Sequence, residues 1–115
     1  MEIQFQTQFP SQVQLGKEGK IPLEYHLFQN YPNPFNPSTT IKYDIPNYAQ
    51  ITLKIYDILG KEIYSSNEFK KAGRYEYKFD GSNFASGLYF YKLEARQAGS
   101  STGEFKQVKK MVLVK

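Results

Sequence analysis

The chain has 115 residues, which is enough for one domain, with 40% hydrophobic residues, 23% charged residues and a net charge of +4. It has no cysteine and one histidine, which excludes disulfides, thiolate metal sites and a cysteine nucleophile. No apolar run approaches the ~20 residues that span a bilayer. The N-terminus lacks a signal-peptide pattern, so we expect any export signal to lie on sequence upstream.

Residues 1–24 mix Gln, Lys, Glu, Gly and Pro with weak alternation, so we interpret them as a linker or the frayed end of an upstream domain. The following segment, Tyr31 to Ser38, contains three prolines. Proline donates no backbone hydrogen bond and keeps the preceding residue extended. We therefore predict a rigid, extended stretch there, at a sheet edge or a corner.

Strand-like alternation continues through the rest of the chain. Apolar residues at every second position, such as Ile41, Tyr43 and Ile45, predict half-buried strands. No segment has a convincing helical period. The predicted strands are a short one at 26–30, then 39–45, 51–56, 62–68, 75–79, 88–95 and 105–114. About seven strands at regular spacing predict an all-β fold, an immunoglobulin-like antiparallel β-sandwich.

Two local patterns refine this prediction. In the hairpin loop from Asp57 to Lys61, Gly60 is suited to a positive φ, and Asp57 is suited to bonding the turn backbone, as is Asp80 in a later loop. Tyr89 follows a small-residue corner, where immunoglobulin-like sandwiches place a Tyr whose hydroxyl bonds the backbone. The alternative is that Tyr89 is one more core aromatic.

Catalytic chemistry finds no support in the residues. His26 has no cysteine to share a metal with, and no nucleophile, base and orienting group are recognisable together. We predict no enzymatic activity, no cofactor and no tightly held metal. Two binding alternatives remain: outward aromatics such as Tyr56 or Phe90 stacking on sugars, and the basic C-terminal residues binding an acidic surface.

Four segments, in this order and spacing, resemble the type A C-terminal sorting domains of the type IX secretion system. They are residues 27–41 (LFQNYPNPFNPSTTI), 51–63 (ITLKIYDILGKEI), 85–93 (ASGLYFYKL) and 109–115 (KKMVLVK). The resemblance covers about three quarters of the chain and implies that residues 25–115 are the sorting domain. The matching site residues are Tyr31, Pro32, Asn33, Pro34, Phe35, Asn36, Pro37, Asp57, Gly60, Gly87, Tyr89, Lys109, Lys110, Met111, Val112, Leu113, Val114 and Lys115.

The resemblance implies an immunoglobulin-like domain that directs a cargo protein through the outer-membrane translocon. The implied partners are that translocon, a sortase-like peptidase that removes the domain, and the upstream cargo domain; no nucleic acid and no membrane insertion are expected. The implied location is the cell surface or the medium, reached through the periplasm of a Gram-negative bacterium. The alternatives are a carbohydrate-binding module and the structural immunoglobulin-like domain of flagellar hook-capping proteins.

The closing strand combines two possible roles. The resemblance places there the element that the translocon reads, and its lysines could equally guard a sheet edge. Met111 and Leu113 alternate with Val112 and Val114, so we expect apolar residues to be buried on both faces of this strand.

Overall fold

The computed structural model describes residues 21–99 and 104–115, and these residues contain seven strands and no helix. The predicted linker lies outside the described residues up to position 20, and residues 21–24 form no strand. No helix in the described part of the chain is long and apolar enough to cross a membrane. The strands are β1 (His26–Leu27), β2 (Ser38–Ile45), β3 (Ala49–Tyr56), β4 (Glu62–Lys70), β5 (Gly73–Asp80), β6 (Gly87–Gln97) and β7 (Glu104–Leu113).

The strands form two antiparallel sheets. The three-stranded sheet has the order β1-β2-β5, and the four-stranded sheet has the order β4-β3-β6-β7. The inward-facing side chains of both sheets build one core, because alternate residues of a strand point to opposite faces. The prediction of a seven-stranded immunoglobulin-like sandwich is confirmed.

The predicted alternation is confirmed in β3, β5, β6 and β7, whereas burial along β4 is irregular. In β3, Ile51, Leu53 and Ile55 are buried and the residues between them are half-buried. Strand β1 is shorter than predicted, at two residues, while β6 extends to Gln97. The chain stays beside β2 after Leu27, since the Phe28 amide donates to the Lys42 carbonyl and Tyr31 bridges to Thr40, but the ladder is interrupted where the Asn30 amide donates to the Tyr91 hydroxyl instead.

The prediction that the closing strand is buried on both faces is wrong. Met111 and Leu113 face the core and are fully buried, whereas Val112 is half-buried and Val114 is exposed. The outer face of the four-stranded sheet has no second layer against it among the described residues. Removing this strand would therefore expose one apolar row rather than two.

Candidate functional site

The four sequence motifs, far apart along the chain, meet at one end of the sandwich. The β3–β4 turn lies there because Tyr56 stands opposite Phe90, near the start of β6. The end of β7 lies there because Leu113 stands opposite Gly87. We call this the motif end, formed by residues 31–37, 57–61, 81–89 and 110–115. The opposite end, formed by residues 21–26, 45–49, 69–73 and 97–99, is the entry end.

The Pro-rich segment crosses from one sheet to the other. On the first side, Tyr31 and Thr40 of β2 exchange both backbone hydrogen bonds at 3.0 Å. On the second side, Phe35 forms a parallel bridge to β7, donating to the Val112 carbonyl and accepting from the Val114 amide, both at 2.9 Å. The predicted edge or corner is thus a strand switch that ties the two sheets together.

Side chains complete the pairing along the edge of β7. The Asn33 side-chain oxygen accepts from the Val112 amide at 2.9 Å. The Gln29 side-chain amide donates to the Lys110 carbonyl at 2.7 Å. Unpaired backbone groups make a sheet edge prone to pairing with other chains. The Pro-rich segment and Gln29 therefore also protect the exposed edge of β7 near its C-terminal end.

A buried polar network holds the crossing point. The Tyr91 hydroxyl donates to the Phe28 carbonyl at 2.7 Å and accepts from the Asn30 amide at 2.8 Å. The Asn30 side chain donates to Thr39 Oγ1 at 3.0 Å and to the Pro32 carbonyl at 3.1 Å. Burial raises the pKa of Tyr91 to about 12, so the hydroxyl stays protonated into the alkaline range in which an exposed tyrosine ionises.

Phe35 fills the core beneath the crossing. Its ring is buried and packs edge-on against Phe79, with ring centroids 6.0 Å apart. Behind it, the Gly81 amide donates to the Pro37 carbonyl at 2.8 Å. A Cβ at Gly81 would lie 3.0 Å from a Leu113 methyl and 3.1 Å from that carbonyl, so glycine is the residue that fits.

The β3–β4 turn is held rigid by Asp57, as predicted. Its Oδ1 accepts from the Leu59 and Lys61 amides, both at 2.9 Å. Its backbone exchanges hydrogen bonds with Lys61 and Gly60, and Gly60 adopts the predicted positive φ of 86°. This turn points Ile58 and Leu59 away from the sandwich, with 64% and 89% of each residue exposed.

The tyrosine corner is confirmed. The Tyr89 hydroxyl donates to the Ala85 carbonyl at 2.6 Å, across the corner that precedes β6. Burial raises the pKa of Tyr89, and the nearby negative charge of Asp57 raises it further. The corner and the β3–β4 turn are therefore neighbours at the motif end.

The last residue of the sequence is fixed to the same corner. The Lys115 amide donates to Ser86 Oγ at 3.0 Å, and its ammonium group donates to the Ser82 carbonyl at 2.6 Å. Asp80 Oδ1 accepts from the Ser82 amide at 2.9 Å, which confirms the predicted turn role of this carboxylate. Hydrogen bonds from Ser82 lower the pKa of Asp80, and the charge of Lys115 contributes in the same direction.

The predicted site residues differ in burial. Lys109 is half-buried on the face of Met111, whereas Lys110 is exposed on the opposite face, so the two lysines do not act as one surface. The buried members are Phe35, Tyr89, Met111 and Leu113; the half-buried ones are Asp57, Lys109 and Val112; the exposed ones are Tyr31, Pro32, Asn33, Pro34, Asn36, Pro37, Gly60, Gly87, Lys110, Val114 and Lys115.

Sequence reasoning missed four residues that hold the motif end together. Asn30, Thr39 and Tyr91 form the polar network, and Gly81 permits the close approach of the Pro-rich segment. A weak signal exists for two of them, because Asn30 and Thr39 flank the Pro-rich segment on its two sides. Nothing in the sequence points from Asn30 to Tyr91, which lies 61 positions away.

A comparison with protein-family models matches the part of the chain that contains these motifs. A family model described as "Secretion system C-terminal sorting domain" matches residues 29–113. The chain belongs to this family. Its function is that of a sorting signal for cargo of the type IX secretion system, which implies export of that cargo to the cell surface or the medium.

Solved structures support the fold of this sorting domain. It is similar to part of dimeric latent PorU from Porphyromonas gingivalis, with 23% identity and a TM-score of 0.59, covering 75% of this chain and 9% of that one. It is also similar to CopC from Methylosinus trichosporium OB3b, with 15% identity and a TM-score of 0.54, covering 78% and 93%. No protein of curated function matches the chain.

Other surfaces of the sorting domain offer little for chemistry. Among residues 21–99 and 104–115, no group of three or more His, Asp or Glu side chains is placed to hold a metal ion. The aromatics considered for sugar stacking, Tyr56 and Phe90, are half-buried, and the Lys92 ammonium lies 5.6 Å from the centre of the Tyr56 ring. They therefore offer little open ring surface for a sugar.

Proposed function

We propose that the outer-membrane translocon reads the sorting domain at the motif end, after the cargo has reached the periplasm. A sortase-like peptidase then removes the domain, and the cargo is attached to the surface or released. One observation carries this proposal: segments from four parts of the chain converge on one end, and each leaves exposed residues there. A sorting signal that is recognised as a folded domain needs such a rigid and distinctive surface.

The direction of the chain supports the proposed domain layout. We propose that residues 1–24 are a linker from the cargo and residues 25–115 the sorting domain. His26 pairs with Asp44, next to the pairing of Ile45 with Gly73, so the chain enters the sandwich at the entry end. A cargo attached there would extend away from the motif end and leave it accessible.

The proposed domain is also non-catalytic. A shallow depression of about 570 Å³ on the outer face of the three-stranded sheet is lined by Phe28, Lys42, Asp44, Arg74, Tyr75 and Glu76. Its Asp44 carboxylate is paired with Arg74 at 3.2 Å, so it is not available as a base. Glu76 is the other carboxylate of this lining, but the lining contains no Ser, Thr or Cys nucleophile for it to activate.

The proposal is tested with a reporter protein fused ahead of residue 1 in a host that has a type IX system. Export of the reporter with the unaltered chain is expected. Replacing exposed motif-end residues (Tyr31→Ser, Asn36→Ser and Lys115→Gln together) should retain the reporter in the periplasm.

The matched control carries Asn47→Ser, Tyr48→Ser and Lys71→Gln at the entry end, and should be exported like the parent. Thermal unfolding of each purified chain shows whether it is still folded. Equal export of both folded variants would refute reading at the motif end. No export of the unaltered chain would refute its function as a sorting signal.

A further inference from the structure

We propose that Ile58 and Leu59 anchor the motif end by inserting into an apolar pocket, rimmed by carboxylates, of the outer-membrane protein that receives the sorting domain. This inference rests on the proposed function and specifies its contact. The β3–β4 turn, residues 57–61, is called the anchor turn below.

Exposure of two adjacent aliphatic side chains is the first observation. Ile58 is 64% exposed and Leu59 is 89% exposed. The four isoleucines of β2 and β3 are, by contrast, buried in the core. Single exposed apolar residues are ordinary on a protein surface. Two neighbouring ones at the tip of a projecting turn form a compact apolar knob that could fill a pocket.

Rigidity is the second observation. Four hydrogen bonds close the anchor turn: two to Asp57 Oδ1, one from Asp57 to the Lys61 carbonyl and one from Gly60 to the Asp57 carbonyl. Binding by a flexible loop loses part of its free energy to ordering, and a preorganised loop avoids that loss. The two side chains are therefore presented in a conformation that needs little further ordering.

Charge is the third observation, and it indicates the chemistry of the pocket rim. Glu62 is paired with Lys54 at 3.3 Å, whereas Asp57 and Asp80 bond to neutral groups and keep their negative charge. Among the described residues, Lys61 and Lys110 form no salt bridge, and the Lys115 ammonium donates to a neutral carbonyl. These three lysines outnumber the two carboxylates, so the side-chain charge around the anchor turn is net positive, which complements acidic groups around an apolar pocket.

A protein pocket fits these observations better than a lipid bilayer. Ile58 and Leu59 together carry fewer carbons than one myristoyl chain, and one such chain anchors a protein to a membrane only marginally. In a protein interface, by contrast, a few well-packed side chains supply most of the binding free energy. Leu is under-represented in hot spots, so the anchor depends on full desolvation of both side chains, which insertion into a closely packed pocket provides.

The test measures binding of the purified full chain to outer-membrane vesicles from a host that has a type IX system. Liposomes made from lipids extracted from the same membranes serve as the second probe. The anchor variant is Ile58→Ser with Leu59→Ser. The matched control is Tyr48→Ser with Phe69→Ser, which removes an exposed apolar pair from the entry end, where the exposures are 52% and 57%.

We expect the anchor variant to bind vesicles at least about tenfold more weakly, the usual effect of removing a hot-spot residue. The control and the conservative Leu59→Met variant should bind like the parent, and all variants should unfold cooperatively at nearly the same temperature. Raising the salt concentration should weaken binding of the parent, and Lys61→Gln should reduce that dependence.

Three outcomes would overturn the anchor. One is equal vesicle binding by parent and anchor variant while the reporter is still exported, which leaves the sorting function intact. Another is equal binding of the parent to the lipid-only liposomes, which would assign the anchor to lipid. The third is dimerisation that the anchor variant abolishes, which would assign it to a second copy. A parent that neither binds vesicles nor exports the reporter would instead refute the proposed function itself.

Discussion

The two ends of the sandwich are closed in different ways. At the motif end, backbone groups of distant segments bond to one another, as Phe35 does to Val112 and Val114. At the entry end, short connections from β2 to β3 and from β4 to β5 join the two sheets and carry exposed rings, as in the stack of Tyr48 on Phe69 at 5.7 Å, with one longer backbone bond from the Ala98 amide to the Tyr48 carbonyl at 3.2 Å. Backbone pairing fixes positions more strictly than the stacking of exposed rings. The motif end is therefore suited to presenting a fixed shape, and the entry end to tolerating a variable connection.

The comparison also separates two kinds of residue within the motif end. Phe35 and Leu113 are buried and shape the motif end, whereas Tyr31, Leu59 and Lys110 are exposed and available to a partner. If the motif end is read as we propose, loss of either kind abolishes sorting, but only loss of the first unfolds the domain. Each prediction below uses stability to tell these two causes apart.

The largest effect is expected for Phe35→Ala. Truncating a buried Phe costs about 3–5 kcal/mol of unfolding free energy, against a total of about 5–15 kcal/mol for a small domain. Tyr31→Ala, at a site 81% exposed in the same segment, should change the unfolding free energy by less than about 0.5 kcal/mol. Urea denaturation of both variants checks this, and equal stabilities would show that the crossing segment is not part of the core.

A smaller loss is expected for Tyr91→Phe, which removes one hydroxyl and no ring. The change leaves the buried Asn30 amide and Phe28 carbonyl without their partner. An unsatisfied buried polar group costs about 1–3 kcal/mol. The matched control is Tyr89→Phe, whose hydroxyl bonds only the Ala85 carbonyl at a more open corner and should cost about 1 kcal/mol. If Tyr89→Phe proves the more damaging, the network at Asn30 does not hold the crossing point.

Alkaline pH should weaken the sandwich in a narrow range. Burial raises the pKa of Tyr43 and of Tyr91 to about 12, compared with about 10 in the unfolded chain. Between these values the unfolded chain loses protons that the folded chain retains, so the unfolding free energy falls as pH rises from about 10 to about 12 and is unaffected by these groups below that.

Urea denaturation at pH 8, 10, 11 and 12 measures this effect. Tyr43→Phe, which lies towards the entry end, and Tyr91→Phe, at the crossing, should each make the pH dependence shallower. An unfolding free energy that stays constant from pH 10 to pH 12 would contradict the assignment of buried, protonated hydroxyls to both positions.

Much of the fold follows from sequence periodicity. The alternation of Ile51, Leu53 and Ile55 determines which face of β3 is buried, and Asp57 with Gly60 determines the turn that follows, because both effects are local. The position of Tyr89 after a small-residue corner indicated a bond to the backbone but left a plain core aromatic as the alternative, and the hydroxyl bond to Ala85 decides between them. These features depend on residues close to one another in the chain.

The remaining features depend on which strands become neighbours. The sequence pattern predicts a buried Val114, yet it is exposed, because no described residue forms a second layer on the outer face of its sheet. The bonds from Tyr91 to Asn30 and from Asn33 to Val112 join residues 61 and 79 positions apart. No local pattern specifies such pairs. The site was therefore predicted as a set of motifs, but not as a single surface.

The smallest effect on stability, and the sharpest test of the comparison, is expected for two exposed lysines at opposite ends. Lys110→Gln and Lys71→Gln should each change the unfolding free energy by within about 0.5 kcal/mol, since neither forms a salt bridge among the described residues. If Lys110 belongs to the surface that is read, only its variant should retain a fused reporter in the periplasm, although both variants melt at nearly the same temperature. Normal export of both would instead assign Lys110 to protecting the edge of β7 from other strands. That result would leave the exposed prolines and the anchor turn as the parts of the motif end that a partner recognises.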